Sequence, residues 1–164
     1  MKQPTERREH LYELLKDIDT AMLVTRTGER GMHARPMAVA DLRPDADAYF
    51  VTSVDSPKVA EIEREPNVLL TFQSSDRFAA VSGRVTVSRD RALVERLWKE
   101  PWKVWFPKGK DDPSIAVLKL DAEQGEYWDN SGAQGVQYVL SAAKAYLKGD
   151  TPATDEKQHG RVRL

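Results

Sequence analysis

The chain has 164 residues, 40% of them hydrophobic and 31% charged, with 25 basic against 26 acidic side chains and a net charge of −1. That is the length of one domain with a real core, and so even a charge balance points away from nucleic acid and anionic membrane as partners. With no cysteine, disulfides, thiol nucleophiles and thiolate metal sites are excluded, and a cytoplasmic setting is expected.

The opening MKQPTERREH carries charge but no apolar signal segment. No apolar run approaches the ~20 residues needed to cross a bilayer. Pro4 to Ile18 reads as an amphipathic helix, with Leu11, Leu14, Leu15 and Ile18 on one face. Ala21 to Thr25 suits a buried strand, Thr27 to Gly31 a turn, and Met32 to Ala40 a second strand pairing back. Pro36 offers no ladder donor and belongs at an edge or bulge. His33, Arg35 and Met37 share one face of that strand at the period of two.

Tyr49 to Gln73 organises the rest. Tyr49 to Thr52 alternate as a strand, Ser56 stands at an N-cap, and Pro57 sits at N1 of a short helix. Pro66 stops that helix, since the residue before a proline resists the α region, and Val68 to Phe72 resume as a strand. At the first junction Thr52, Ser53 and Ser56 supply hydroxyls and Lys58 an ammonium. A helix N-terminus with those groups can hold a phosphate, and an ordinary capped helix with a solvated lysine has the same residues.

Phe78 to Val87 alternates well, with a bulge expected at Gly83. Ser88 is placed to cap a helix over Asp90 to Lys99. An aromatic cluster follows (Trp102, Trp105, Phe106) among Pro107, Gly109 and Pro113. Ile115 to Leu120 and Gly125 to Asp129 read as two last strands, Ala133 to Leu147 as a helix, and the polar tail after Gly149 as mobile. Residues 1–149 thus form one domain and 150–164 a tail. Paired antiparallel strands without βαβ alternation predict a mainly β (α+β) fold, a small barrel with attached helices. His10, His33 and His159 are scattered and form no metal motif.

The segments His33-Ala34-Arg35-Pro36-Met37, Phe50-Val51-Thr52-Ser53, Ser56-Pro57-Lys58 and Asn67 to Gln73 occur here in order. Trp105-Phe106-Pro107-Lys108-Gly109 and Glu126-Tyr127-Trp128-Asp129 follow them. Together they resemble the FMN-binding split-barrel proteins of the pyridoxamine 5′-phosphate oxidase-like superfamily, with the closer similarity to its general stress protein 26 branch. The resemblance implies a split β-barrel and a homodimer with FMN at the subunit interface. It implies Arg35 and Lys58 on the FMN phosphate, Arg35 as a two-pronged fork, with donors from Thr52, Ser53 and Ser56. Pro36, Met37 and Val51 would pack near the flavin, Gln73 would hydrogen-bond its rings, and Trp128 would reach it from the partner subunit. Trp105 would wall the same pocket.

The vitamin oxidases of that superfamily follow their Trp with a basic segment that grips a substrate phosphate. Here Asp129, Asn130, Ser131, Gly132, Ala133 and Gln134 follow Trp128, with no basic residue. The expectation is therefore an FMN-binding stress protein (FAD or another flavin as variants) with oxidoreductase chemistry on an unidentified redox partner, not pyridoxamine phosphate. A flavin module without turnover, or a barrel for another planar phosphorylated ligand such as a deazaflavin, are the alternatives. No catalytic residue is assigned.

Overall fold

Polar and apolar side chains alternate along the extended segments, and folding turns that alternation into one antiparallel sheet. In a computed structural model that describes residues 4–28, 30–149, 151 and 158–164, the strands are β1 (Thr20–Arg26), β2 (Met32–Ala38), β3 (Asp41–Leu42), β4 (Ala48–Ser53), β5 (Asn67–Gln73), β6 (Arg77–Ser88), β7 (Ile115–Asp129) and β8 (His159–Arg163). Helices α1 (Pro4–Leu15), α2 (Pro57–Arg64), α3 (Arg91–Leu97) and α4 (Gly132–Lys148) lie around them, with 3-10 turns at Glu100–Val104 and Gly109–Asp111. The strand order is β2-β1-β5-β6-β7-β4-β3, and β8 also pairs with β7. β2 and β3 end that path, so the sheet curls into a barrel that stays split. Pro36 lies on the edge strand β2, where its missing donor costs least. No helix among the described residues is long and apolar enough to cross a membrane.

Ala21 and Leu23 of β1, Leu70 and Phe72 of β5, and Val81 of β6 point into the main core. α1 adds Leu11, Leu14 and Leu15, and α2 adds Val59 and Ile62. Each large side chain buried this way contributes roughly 1.5–3 kcal/mol. A second cluster covers the other face of β4 and β7 with Val94, Leu97, Trp102 and Phe106. Ile115 to Leu118 are consequently buried without alternation, as in strands covered on both faces.

Four expectations need correction. The two last strands are one, Ile115–Asp129, because β6 pairs with it from Val117 to Asp129 across a single bulge. The bulge is real but its extra residue is Glu123, since Ser82 faces Gln124 and Gly83 faces Ala122. Gly83 matters for another reason: a Cβ there would stand 2.2 Å from the Asp121 carbonyl oxygen. The cap of α3 is Asp90, whose carboxylate accepts from the Ala92 N–H at 3.0 Å, while Ser88 Oγ accepts from the Asp90 N–H. Finally, the tail read as mobile ends in β8, which pairs with Gln124–Trp128. Gly160 allows the approach, since a Cβ would meet the Tyr127 hydroxyl at 2.5 Å. Arg8 Nε of α1 donates to the Arg163 carbonyl at 3.0 Å and ties the strand down.

The close contact at Gly83 makes a prediction. Gly83→Ala forces β6 and β7 apart and costs about 1–3 kcal/mol, the range for overpacking. Urea unfolding measures it, and an unchanged midpoint would show that the strands give way freely.

Candidate functional site

A cleft opens where edge strand β2 comes near β4 without pairing to it. Pro36, Met37 and Ala38 form one wall, Val51, Thr52 and Ser53 the opposite one. Ser56 and Lys58 at the start of α2 close one end, and Trp102, Trp105 and Phe106 stand over it. Its volume is about 430 Å³, within the usual range for a small-molecule site. Trp102 and Phe106 are buried, whereas Trp105 is 68% exposed.

The polar end is unusual. Ser56 holds the N-cap position, yet its side chain makes no cap bond; its Oγ accepts instead from Lys58 Nζ at 2.6 Å. Lys58 Nζ also donates to Thr52 Oγ1 at 3.2 Å. Burial pushes the Lys58 pKa down, Arg35 adds to that shift, and Glu61 opposes it. An ammonium resting on two neutral hydroxyls, beside a second cation, is an incompletely balanced positive charge. The donor set therefore fits a phosphate.

Arg35 belongs to this end but does not line the cleft. Its Nη1 donates to Thr25 Oγ1 at 2.6 Å and to the Leu23 carbonyl at 3.4 Å. Its Nη2 donates to Glu61 Oε2 at 2.6 Å and meets His33 Nδ1 at 2.8 Å. Both prongs of the expected fork are thus engaged inside the protein. Thr25 Oγ1 donates to Glu61 Oε2 at 2.6 Å and closes the cluster. Burial alone would push the Glu61 carboxyl up, but hydrogen bonds from Thr25 and Arg35 outweigh it and hold Glu61 below the usual carboxylate range.

Of the sequence-derived residues, Pro36, Met37, Val51, Thr52, Ser53, Ser56, Lys58 and Trp105 come together at the cleft. Gln73 and Trp128 do not. Gln73 faces Phe78 across β5 and β6, and Phe78 faces Trp128 across β6 and β7. Trp128 stacks on His159, ring centroids 5.2 Å apart at 11°. The absence of a basic residue after Trp128 also needs correction in space: β8 brings His159 and Arg161 beside it, both bonded to Glu126 Oε1, at 2.7 and 3.0 Å. Sequence reasoning missed Thr25 and Glu61. The one available signal was Glu61 at i+3 from Lys58, which puts both on one face of α2.

The family model described as pyridoxamine 5′-phosphate oxidase like matches residues 6–153. Over 80 residues the chain is 32% identical to general stress protein 26 of Bacillus subtilis (strain 168), a match spanning 46% of this chain and 56% of that protein. The solved general stress FMN/FAD binding protein from Xanthomonas citri is 34% identical, with a TM-score of 0.66 over 78% of this chain and 92% of that one. A general stress protein 26 from Jannaschia sp. CCS1 shares the fold over 97% of this chain and 99% of its own, with a TM-score of 0.73 at 21% identity. A family model that matches nearly the whole sheet, and the cleft with it, decides the kinship: the chain belongs to the pyridoxamine 5′-phosphate oxidase-like family.

Proposed function

We propose that the cleft binds FMN and that the protein is a homodimeric FMN-binding general stress protein, performing oxidoreduction on a small redox partner. The observation that carries this reading is Lys58, partly desolvated and held by Thr52 and Ser56 at the end of an aromatic-walled cleft. The hydroxyls and ammonium receive the phosphate, and Trp102, Trp105 and Phe106 offer faces for a planar ring system. A bound flavin supplies the redox chemistry itself. What this chain does is hold, orient and shield it. Binding without turnover has an observation of its own: Lys58 is the one ionisable side chain lining the cleft among the described residues.

The dimer is supported by uncovered apolar surface. Met22, Leu69, Phe78 and Trp128 are each between 37% and 39% exposed on the outer face of the sheet. Leu69 also lines a depression of about 750 Å³ between β5 and β8. On α4, Val136, Val139, Leu140 and Leu147 are exposed at helical spacing. Surfaces of this kind mark interaction sites, and a two-fold axis lets one copy cover the other reciprocally. FMN at the subunit interface would then meet Trp128 and Gln73 of a second copy.

The deciding experiment is the visible spectrum of the purified protein after FMN is added and excess removed. Flavin bands near ~450 nm at about one FMN per chain are expected, and a colourless protein would refute the reading. Steady-state assay with a nicotinamide donor then separates turnover from storage.

Lys58→Met should weaken FMN binding by about 1.5–3 kcal/mol, the scale of a hydrogen bond to a charged group. The same change should stabilise the free protein by about 1 kcal/mol, because it removes a desolvated charge. The sign of the pH effect follows. Because the folded pKa lies below the ordinary 10.5, the destabilisation is full below that lowered pKa. It fades as pH rises toward 10.5, where the unfolded chain loses its proton too. The advantage of the Met variant should shrink over that window in thermal melts. A variant that keeps full FMN affinity removes Lys58 from the site.

Leu69→Glu places a charge in the proposed interface and should cost several kcal/mol of association. Sedimentation at micromolar concentration should find the wild type dimeric and the variant monomeric, with its melting temperature little changed. A wild-type monomer that still binds FMN would sink the shared site.

A further inference from the structure

Arg35, Thr25 and Glu61 form the most tightly hydrogen-bonded group near the cleft, and none of the three lines it. The Arg35 and Glu61 side chains are each 13% exposed, and Thr25 is 1% exposed. Register explains the meeting. Thr25 of β1 faces His33 of β2, and Leu23 faces Arg35, so the side chains that share a face converge under α2. From α2 comes Glu61, three residues after Lys58. One helix therefore carries the ammonium at the cleft and the carboxylate on Arg35.

The two cations oppose each other: Arg35 pushes the Lys58 pKa down and Glu61 pulls it back. Without a counter-charge, a free arginine side chain would swing away from Lys58 into solvent and would have to be ordered again when an anion arrives. Four of the five guanidinium N–H groups are spoken for by Leu23, Thr25, Glu61 and His33, the last if His33 Nδ1 is unprotonated. Nε takes no protein partner among the described residues.

We propose that Glu61 is a positioning residue for the phosphate end of the site. It holds one terminal nitrogen of Arg35 while Thr25 holds the other, so that a phosphate at Lys58 finds a second cation already fixed behind it. The arginine then acts as a fixed charge, not as a two-pronged fork. This rests on the flavin reading and names a residue that acts through Arg35 rather than on the ligand.

The test is titration of the apo protein with FMN and with riboflavin, which has the same rings and no phosphate. Glu61→Gln should weaken FMN about tenfold, the scale of one charged hydrogen bond, and leave riboflavin affinity within about twofold. Glu61→Asp, which keeps the charge, should restore part of the loss. In an Arg35→Ala background the Glu61→Gln change should have no further effect, as expected for residues acting as one unit. Thr25→Val, of matching shape, removes the second tether and repeats the test if Glu61→Gln does not fold. Equal losses for FMN and riboflavin would reduce Glu61 to a support of the fold and overturn the proposal. So would an effect that persists without Arg35. If the wild type binds no FMN, the flavin reading falls and takes this inference with it; if the wild type binds FMN and the ratio does not move, only the inference falls.

Discussion

β7 gives one of its edges to two neighbours in succession, and the site depends on that division. β6 follows the strand along one side, while β4 takes residues 115–120 and β8 takes residues 124–128 on the other. At the changeover Glu123 bulges out of register, and the Ala122 N–H donates to Asp47 Oδ1 at 2.8 Å. A partly buried donor between two strands is best satisfied by a nearby acceptor. The Asp47 carboxylate supplies one, and although burial pushes its pKa up, that same bond offsets part of the shift. The first half of β7 sets Thr52 and Ser53 at the cleft by pairing them with Ala116 and Ile115. The second half sets Trp128 at the far end.

This spacing bears on the dimer. Ile115 and Trp128 are thirteen steps apart on one strand, and at ~3.3 Å per residue that is about 40 Å of extended chain, somewhat less across a bulge and a curved sheet. A single flavin does not reach from the hydroxyls of Ser53 to the ring of Trp128 over such a distance. If both residues serve one cofactor, they come from different copies. The residues that converge at the cleft and the two that do not divide along this line, with Gln73 and Trp128 sharing the outer face with Met22 and Leu69. The exposed apolar side chains on that face are the surface that a second copy would cover under that reading.

What was legible in the sequence is what local rules decide. Ser56, Pro57 and Pro66 delimit α2 because capping and proline sterics act within a few residues, and the hydroxyls before it travel with it. The alternation from Phe78 to Val87 was legible too, and it sets Val81 and Val85 in the core. Trp102 and Phe106 stood out as aromatic but could not be assigned to a wall, since that depends on how α3 and the following turn pack on β7. Glu61 was invisible for the same reason: it matters only because the β1–β2 register brings Thr25 and Arg35 beneath α2. β8 escaped notice because His159, Arg161 and Arg163 make it look like solvent-facing tail. Its alternate residues Gly160 and Val162 are the buried ones, and glycine is a weak strand signal.

The charge arrangement around Trp128 limits what could bind beside it. A phosphate monoester carries nearly two negative charges and needs cations that are not already balanced. At the cleft the balance is positive: Lys58 and Arg35 share one carboxylate, Glu61. Near Trp128 the count differs, for Glu126 accepts from both His159 and Arg161 and is held below the usual carboxylate range, by the His159 bond first and Arg161 after it. On the other side of the tryptophan the Asp129 carboxylate accepts from Ser131 and pairs with His10. Under the proposed reading, the cleft end with its surplus positive charge takes the cofactor's phosphate, and the region around Trp128, where Glu126 already engages Arg161, suits an unphosphorylated partner molecule. Pyridoxamine phosphate would bring a dianion beside the Glu126 carboxylate, where Arg161 is already engaged. The family's fold and its cofactor end therefore do not imply the vitamin oxidase's substrate here.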